Sequence, residues 1–389
     1  EVEVRQRTDW ALKATALEEL REQRPSELSG GQKQCVAIAS ILAMKPMVLI
    51  LDEPTASLDV PNTHRVLETL KSLRKKHGVT IVILEHRLAD VARLASRLIL
   101  MDEGRIISDG HPDEILMNET LQKKLGMRRR SDEPQDSWET LIEESVQNTN
   151  GRQPLLNLEN VSAGYNHHKV IQDINLSIYP GDFLALVGNN GAGKSTLGLV
   201  AAGMLKPLAG KVRFSNGARP HPGLDVAMLF QNPVDQLFTD SVDEEVAFGP
   251  RNYERFISGR HEEILQEADL LKLRKNRPMM LSAGQQQRTA LAACLGLQPR
   301  LLILDEPTLG QDWGHLQRLM DYLLQLNRQG SAILLISHDY KLVHHYAHRI
   351  YLMKNGRIHR KGQFERSDMK ASRSIINDPE GGNYETFNA

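Results

Sequence analysis

Short runs of uninterrupted apolar residues, each ending abruptly in polar ones, punctuate this chain. Phe183–Val187 runs into a glycine-rich turn, Leu301–Leu304 into two carboxylates, and Leu334–Ile336 into Ser337, His338 and Asp339. Met47–Leu51 and Val79–Leu84 read the same way nearer the start. A strand with one wet face alternates apolar and polar positions. A run without alternation predicts a parallel strand covered by helices on both faces. Ligands bind at the C-terminal edge of such sheets, so the polar residues ending these runs are the first candidates for chemistry. Longer apolar stretches around Cys35 and Cys294 predict buried helices. The pattern is that of an α/β fold.

The runs also repeat. "LSGGQKQCVAIASILAMKPMVLILDEPTASLD" (Leu28–Asp59) recurs as "LSAGQQQRTALAACLGLQPRLLILDEPTLGQD" (Leu281–Asp312). "GVTIVILEH", ending at His86, matches "GSAILLISH", ending at His338, and "MDEGRI" (Met101–Ile106) matches "MKNGRI" (Met353–Ile358). Two homologous units follow. The second has a long front half, from about Leu155 to Met280; the first has only Glu1–Glu27 before the matching point. By subtraction, roughly a hundred residues of the first unit are absent. The chain opens on Glu1 rather than Met, so a truncated first unit is the expectation. The boundaries read as a first unit over 1–127, a linker over 128–153, a complete second unit over 154–365 and a polar tail over 366–389. The linker is polar and rich in breakers, with one helical turn expected around Trp138–Val146.

Composition narrows the class. The chain has 389 residues, 40% hydrophobic and 25% charged, ordinary for globular domains. Lys+Arg 48 against Asp+Glu 49 gives no electrostatic reason to expect nucleic-acid binding. No apolar run approaches the roughly 18 residues of a membrane span, and Glu1–Arg5 lacks the layout of a signal peptide. The two cysteines have no CxxC spacing, which argues against zinc or redox chemistry and for buried thiols. The picture is a cytosolic protein, or one carried by a membrane partner.

"FLALVGNNGAGKSTL" (Phe183–Leu197) is a strand, a G-x-x-x-x-G-K-S loop and a helix start. In such a loop, Gly188, Asn189, Asn190, Gly191, Ala192 and Gly193 close backbone N–H groups around the β- and γ-phosphates of a nucleotide. Lys194 brings charge, Ser195 offers a hydroxyl to Mg²⁺, and Thr196 completes the loop. After the strand "RLLIL", Asp305 is placed to hold Mg²⁺ and Glu306 to polarise the attacking water. Paired acids after a strand are commonly a helix-cap signal; beside a phosphate loop the metal reading prevails. His338 reaches for the γ-phosphate from the same edge. Gln231, in "LFQNP", can bridge metal, water and a moving neighbour, and Tyr165 can stack an adenine ring.

Together the loop, Gln231, "LSAGQQQR", "LDEPTLGQD" and "SHD" resemble, in order and spacing, the nucleotide-binding domain of ATP-binding-cassette (ABC) proteins, a P-loop NTPase fold, here in tandem with the first copy incomplete. The resemblance covers nearly all of the chain except linker and tail. It implies an ATP hydrolase using ATP and Mg²⁺, with Gln231 and Ser195 joining Asp305 at the metal. It also implies head-to-tail pairing of the two units within the chain. Ser29, Gly30, Gly31 and Gln32, with Asp59, would then meet the nucleotide held by Gly188–Thr196. The helix after Ser29, beginning near Gln32, would point its dipole at the γ-phosphate. The reciprocal site would use Ser282, Ala283, Gly284 and Gln285 with Asp52, Glu53 and His86, and lacks its phosphate loop. Ala283 in place of glycine, and Cys35 where the other copy has Arg288, suggest two unequal sites.

"FQNPVDQLFTDSVDEEVAFGP" (Phe230–Pro250) looks like the coupling segment of energy-coupling-factor importers, which take up vitamins or metal ions. "LEHR" around His86 resembles duplicated ATPases of that group, of thiamine-precursor or cobalt type. The implied partners are a transmembrane coupling subunit, with Asp243, Glu244 and Glu245 pairing to its basic residues, and a substrate-binding membrane subunit. The implied location is peripheral, at the cytoplasmic face of the cell membrane. The alternative is a tandem-cassette factor acting on ribosomes, which typically carries a long charged linker.

Overall fold

The computed structural model describes residues 1–25, 28, 30–55, 58, 60–85, 91–92, 94–102, 104–118, 121, 138–144, 151–166, 168–308 and 313–363. In the first unit, α1 (Val2–Ala14), α2 (Gly30–Leu42) and α3 (Val60–His77) accompany a parallel pair, β1 (Val48–Asp52) and β2 (Thr80–Leu84). A hairpin of β3 (Leu98–Asp102) and β4 (Arg105–Gly110) and a short α4 (Pro112–Leu116) follow. Cys35, Ile38 and Leu42 of α2 and Val66, Leu70 and Leu73 of α3 recur at helical spacing and meet Leu49 and Leu51 in one core.

The second unit opens with α5 (Trp138–Leu141) and β5 (Glu143–Glu144), inside the stretch that the sequence suggests is linker. Ile142 is buried, Trp138 and Leu141 pack on the same core, and β5 pairs with Gly362 and Gln363. Residues 138–144 therefore belong to this unit. The expected helical turn is there over Trp138–Leu141, and Glu143–Glu144 form a strand instead of continuing it. The tail from 366 onward, and 128–137 and 145–150 of the linker, lie outside the described residues.

Then come β6 (Leu156–Tyr165), β7 (His168–Ile178), β8 (Phe183–Val187), α6 (Lys194–Ala201), β9 (Ala209–Phe214) and β10 (Val226–Leu229). They are followed by α7 (Val242–Asn252), α8 (Ser258–Glu267), α9 (Ala283–Gly296), β11 (Leu301–Asp305), α10 (Trp313–Arg328), β12 (Ala332–Ile336) and α11 (Tyr340–Tyr346). The chain closes on the hairpin β13 (Arg349–Lys354) and β14 (Arg357–Gln363). Among the described residues the main sheet runs β10-β11-β12-β8-β13-β14-β5, parallel from β10 to β13, and β7-β6-β9 form a separate antiparallel sheet.

The main sheet separates two cores. Phe183, Ala185, Val187, Leu302, Leu304, Ile333 and Leu335 face the helical side, with Val246 of α7, Ile264 of α8, Leu291 of α9 and Leu323 of α10. Leu184, Leu186, Leu301, Ile303, Leu334 and Ile336 face α6 and the antiparallel sheet. Alternate residues point to opposite faces and both faces are covered, which is why these runs carry no polar positions.

Candidate active site

Four neighbouring parallel strands end at one level. Leu229 of β10 is in register with Leu304 of β11, Asp305 with Ile336 of β12, and Ile336 with Leu186 of β8. The residues just past these ends are Gln231, Glu306, His338 and the loop from Gly188. Residues far apart in sequence thus share one edge, because a parallel sheet aligns the C-terminal ends of its strands.

The phosphate loop requires glycine at two points. Gly188 has φ +143°, and a Cβ there would lie 2.3 Å from the Met353 carbonyl oxygen. Gly193, the N-cap of α6, has φ +96°, and its Cβ would lie 2.7 Å from Ile171 Cγ2. Lys194 is buried, and its Nζ donates to the carbonyl oxygens of Gly188 (2.7 Å) and Asn189 (3.1 Å). The Asn189 carbonyl also accepts from the Ala192 N–H. The loop is thereby wrapped around its own cation, ahead of a helix N-terminus that favours anions. Thr196 is buried beneath it and Ser195 is exposed.

Asp305 is 3% exposed, and burial pushes its carboxyl up to about 6, against a hydrogen bond with Ser195 and the charge of Lys194. Among the described residues its Oδ1 has no hydrogen-bond partner. A buried carboxylate oxygen without a donor, next to an exposed hydroxyl, fits a hard divalent cation such as Mg²⁺. Glu306 takes a left-handed backbone conformation (φ +48°), and its N–H donates to the Ile336 carbonyl at 2.9 Å. His338 Nδ1 lies 2.8 Å from Glu306 Oε1, and Ser337 Oγ donates to Oε2 at 3.2 Å. His338 therefore holds one oxygen of the Glu306 carboxylate. Ser337, not singled out from the sequence, holds its other oxygen; its place between strand end and histidine was the available signal.

The first unit repeats the kink. Glu53 has φ +45° and its N–H donates to the Leu84 carbonyl at 2.9 Å. At the position of Ser337, however, stands Glu85, whose Oε2 accepts from Thr55 Oγ1 at 2.6 Å. Gly30, Gly31 and Gln32 form the first turn of α2, which starts two residues before the expected Gln32. A Cβ on Gly31 would lie 2.6 Å from Asn62 Oδ1, so the glycine lets the start of α3 approach. Ser29, Asp59 and His86 lie outside the described residues. In the second unit Ser282 caps α9 in a reciprocal capping box with Gln285, and Ala283 and Gly284 follow. Tyr165 ends β6, half exposed, and Gln231 is exposed just after β10.

The acidic run of α7 corrects an expectation. Asp243 Oδ1 is taken by Arg274 Nη2 (2.6 Å) and His261 Nε2 (3.1 Å), contacts that hold its carboxyl below the usual range against burial. Glu245 is buried, and its Oε2 accepts from the N–H groups of Phe238 and Thr239 and from Thr239 Oγ1. Two of the three acids are thus spent inside the unit, and Glu244 alone is exposed. What the segment shows to solvent is an edge-to-face pair, Phe238 and Phe248, with ring centroids 4.8 Å apart.

The ABC transporter family profile matches residues 1–56 and 171–309. An ABC transporter ATP-binding protein of Methanosarcina mazei is 37% identical over 403 residues, covering 92% of this chain and 68% of the relative. One from Methanosarcina acetivorans is 36% identical, with 92% and 66% covered. The chain thus spans about two thirds of the length of these relatives. An ATP-binding cassette solved as a dimer in a post-hydrolysis state, bound to ADP and Pi, superposes with a TM-score of 0.50 at 26% identity, over 54% of this chain and 99% of that one. The profile spans parts of both units and the relatives run nearly the whole chain, so the chain belongs to the ATP-binding cassettes of ABC transporters, a family of ATPases.

Proposed function

We propose that this chain binds and hydrolyses ATP to drive an importer of energy-coupling-factor type, carrying a vitamin or metal ion. Lys194 and the loop N–H groups hold the β- and γ-phosphates. Asp305 and Ser195, with Gln231 from the neighbouring strand, are the residues that would hold Mg²⁺, which would supply charge neutralisation at the phosphate oxygens. Glu306 orients the attacking water, and His338 and Ser337 fix its carboxylate. Tyr165 stacks the adenine. The site closes when Ser29–Gln32 and Asp59 of the first unit cap the γ-phosphate.

The observation that carries the transport reading is the exposed Phe238–Phe248 pair, seven and seventeen residues beyond Gln231. No helix among the described residues is long and apolar enough to cross a membrane. An aromatic pair beside the Gln231 turn offers an apolar seat for a cytoplasmic helix of a transmembrane partner. Recruitment to membranes containing the coupling subunit tests this. The double variant Phe238→Ala/Phe248→Ala should stay unbound yet keep ATP binding. Wild-type recruitment of that variant, or ribosome co-sedimentation that survives moderate salt, would turn the reading away from transport.

A further inference from the structure

Among the described residues, Gln231 makes no side-chain hydrogen bond, and β10 is the outer strand of its sheet. Something other than Gln231 must therefore set where Gln231 stands. Five residues on, Gln236 folds back across the turn. Its Oε1 accepts from the Phe230 N–H at 3.1 Å, and its Nε2 donates to the Met228 carbonyl at 3.0 Å. In a parallel sheet one residue of the neighbouring strand accepts from position i+1 and donates to position i−1. The Gln236 amide makes that pair of bonds on the open edge of β10, as though it were a strand residue. The same Nε2 lies 3.2 Å from Cys294 Sγ, and Cys294, buried on α9, donates to the same Met228 carbonyl at 3.5 Å. Asn232 Oδ1 accepts from the Val234 N–H and completes the turn.

We propose that Gln236 is a positioning residue for ATP hydrolysis. By extending the hydrogen bonding of β10 one step past its edge, it holds Phe230 level with Asp305, and so fixes where the next residue, Gln231, stands. Through Cys294 it ties that level to α9, the helix that begins at Ser282. The apolar surroundings, with Leu229, Leu237 and Leu295 in the same core, would accept a leucine in its place; the amide is what the strand edge needs. This rests on the reading of Gln231 as a residue that serves the metal and the water.

The test is a double-mutant cycle in the full chain, reading ATP turnover against Mg²⁺ concentration and, separately, nucleotide affinity without metal. Gln236→Leu should lower kcat about tenfold and raise the half-saturating Mg²⁺ several-fold, while metal-free nucleotide affinity holds. Added to Gln231→Ala, it should cause no further loss, because both changes disable one side chain. Additive losses, or wild-type Mg²⁺ dependence in Gln236→Leu while Gln231→Ala is impaired, would overturn the proposal. If Gln231→Ala turns over normally, the reading of Gln231 falls, and the proposal with it. Should Gln236→Leu not fold, Cys294→Ala serves instead. A roughly two-fold higher Mg²⁺ requirement, restored by Cys294→Ser, supports the tie, and no change overturns it.

Discussion

"VLILD" of β1 and "LLILD" of β11 are nearly the same run of residues, yet they live in different surroundings. Every position of β11 and β12 is buried. In β1 only Leu49 and Leu51 are, while Val48 and Ile50 are 50% and 65% exposed; in β2, Val82 and Leu84 are about half exposed. The difference lies in the cover. Ile303 and Ile336 rest under α6 and the β7-β6-β9 sheet, and β8 joins β12 to β13. Among the described residues of the first unit nothing occupies those places, and β1-β2 and β3-β4 stand as two separate pairs. An apolar run shows that a strand is built to be covered on both faces. Whether it is covered depends on residues elsewhere.

The comparison is most easily broken at Glu306 and Glu53, the carboxylates just past the two matching strands. Glu306→Gln should slow ATP turnover by about 100-fold or more with binding intact, whereas Glu53→Gln in the same chain should stay within about two-fold. Equal losses would mean that both units work as complete sites. Packing gives the next contrast, at matched positions. Ile303→Ala should destabilise the second unit by about 2–5 kcal/mol in denaturant unfolding, and Ile50→Ala by less than about 1 kcal/mol.

A smaller effect follows from Asp305. Burial raises its carboxyl to about 6, so the neutral acid stabilises the metal-free fold. That contribution is full below the unfolded value near 3.8 and is lost as pH rises through about 6. Metal needs the charged form, so Mg²⁺ affinity should fall about tenfold per pH unit below 6 and level off above it. Asp305→Asn should raise the metal-free melting temperature and remove the pH dependence along with the metal. A flat affinity from pH 5 to 8 in the unaltered chain would refute this. The smallest readout is stoichiometric. Calorimetry with a non-hydrolysable ATP analogue should find about one tight site per chain, and two would require a second phosphate-holding loop.

The strand ends that meet at the candidate site were legible in the sequence. Asp305 directly follows an apolar run, Glu306 and His338 come one residue later past theirs, and Lys194 stands at the far end of the glycine-rich turn that follows Val187; a parallel sheet brings such ends together. The misreadings concern side chains whose partners come from distant segments. Asp243 looked free for a partner and is held by Arg274; Glu245 looked exposed and caps the turn at Phe238. Trp138–Glu144 looked like linker and docks on β14. Periodicity and motif spacing report on a residue's own element and its immediate neighbours, and they are silent on which remote group will satisfy a charge.

By itself, then, the amino-acid order determined the strands, the glycines of the loop from Gly188 and the repeated sequence runs, because these depend on local apolar runs, backbone sterics and self-similarity. Only the tertiary structure decided that Ser337 and His338 grip Glu306 from both sides. It alone set the Gln236 amide against the outer edge of β10, and among the described residues it left Ile50 exposed while Ile303 is buried. Those outcomes rest on contacts between segments that only the packed sheet brings within a few ångströms, and no window along the chain contains both halves of them.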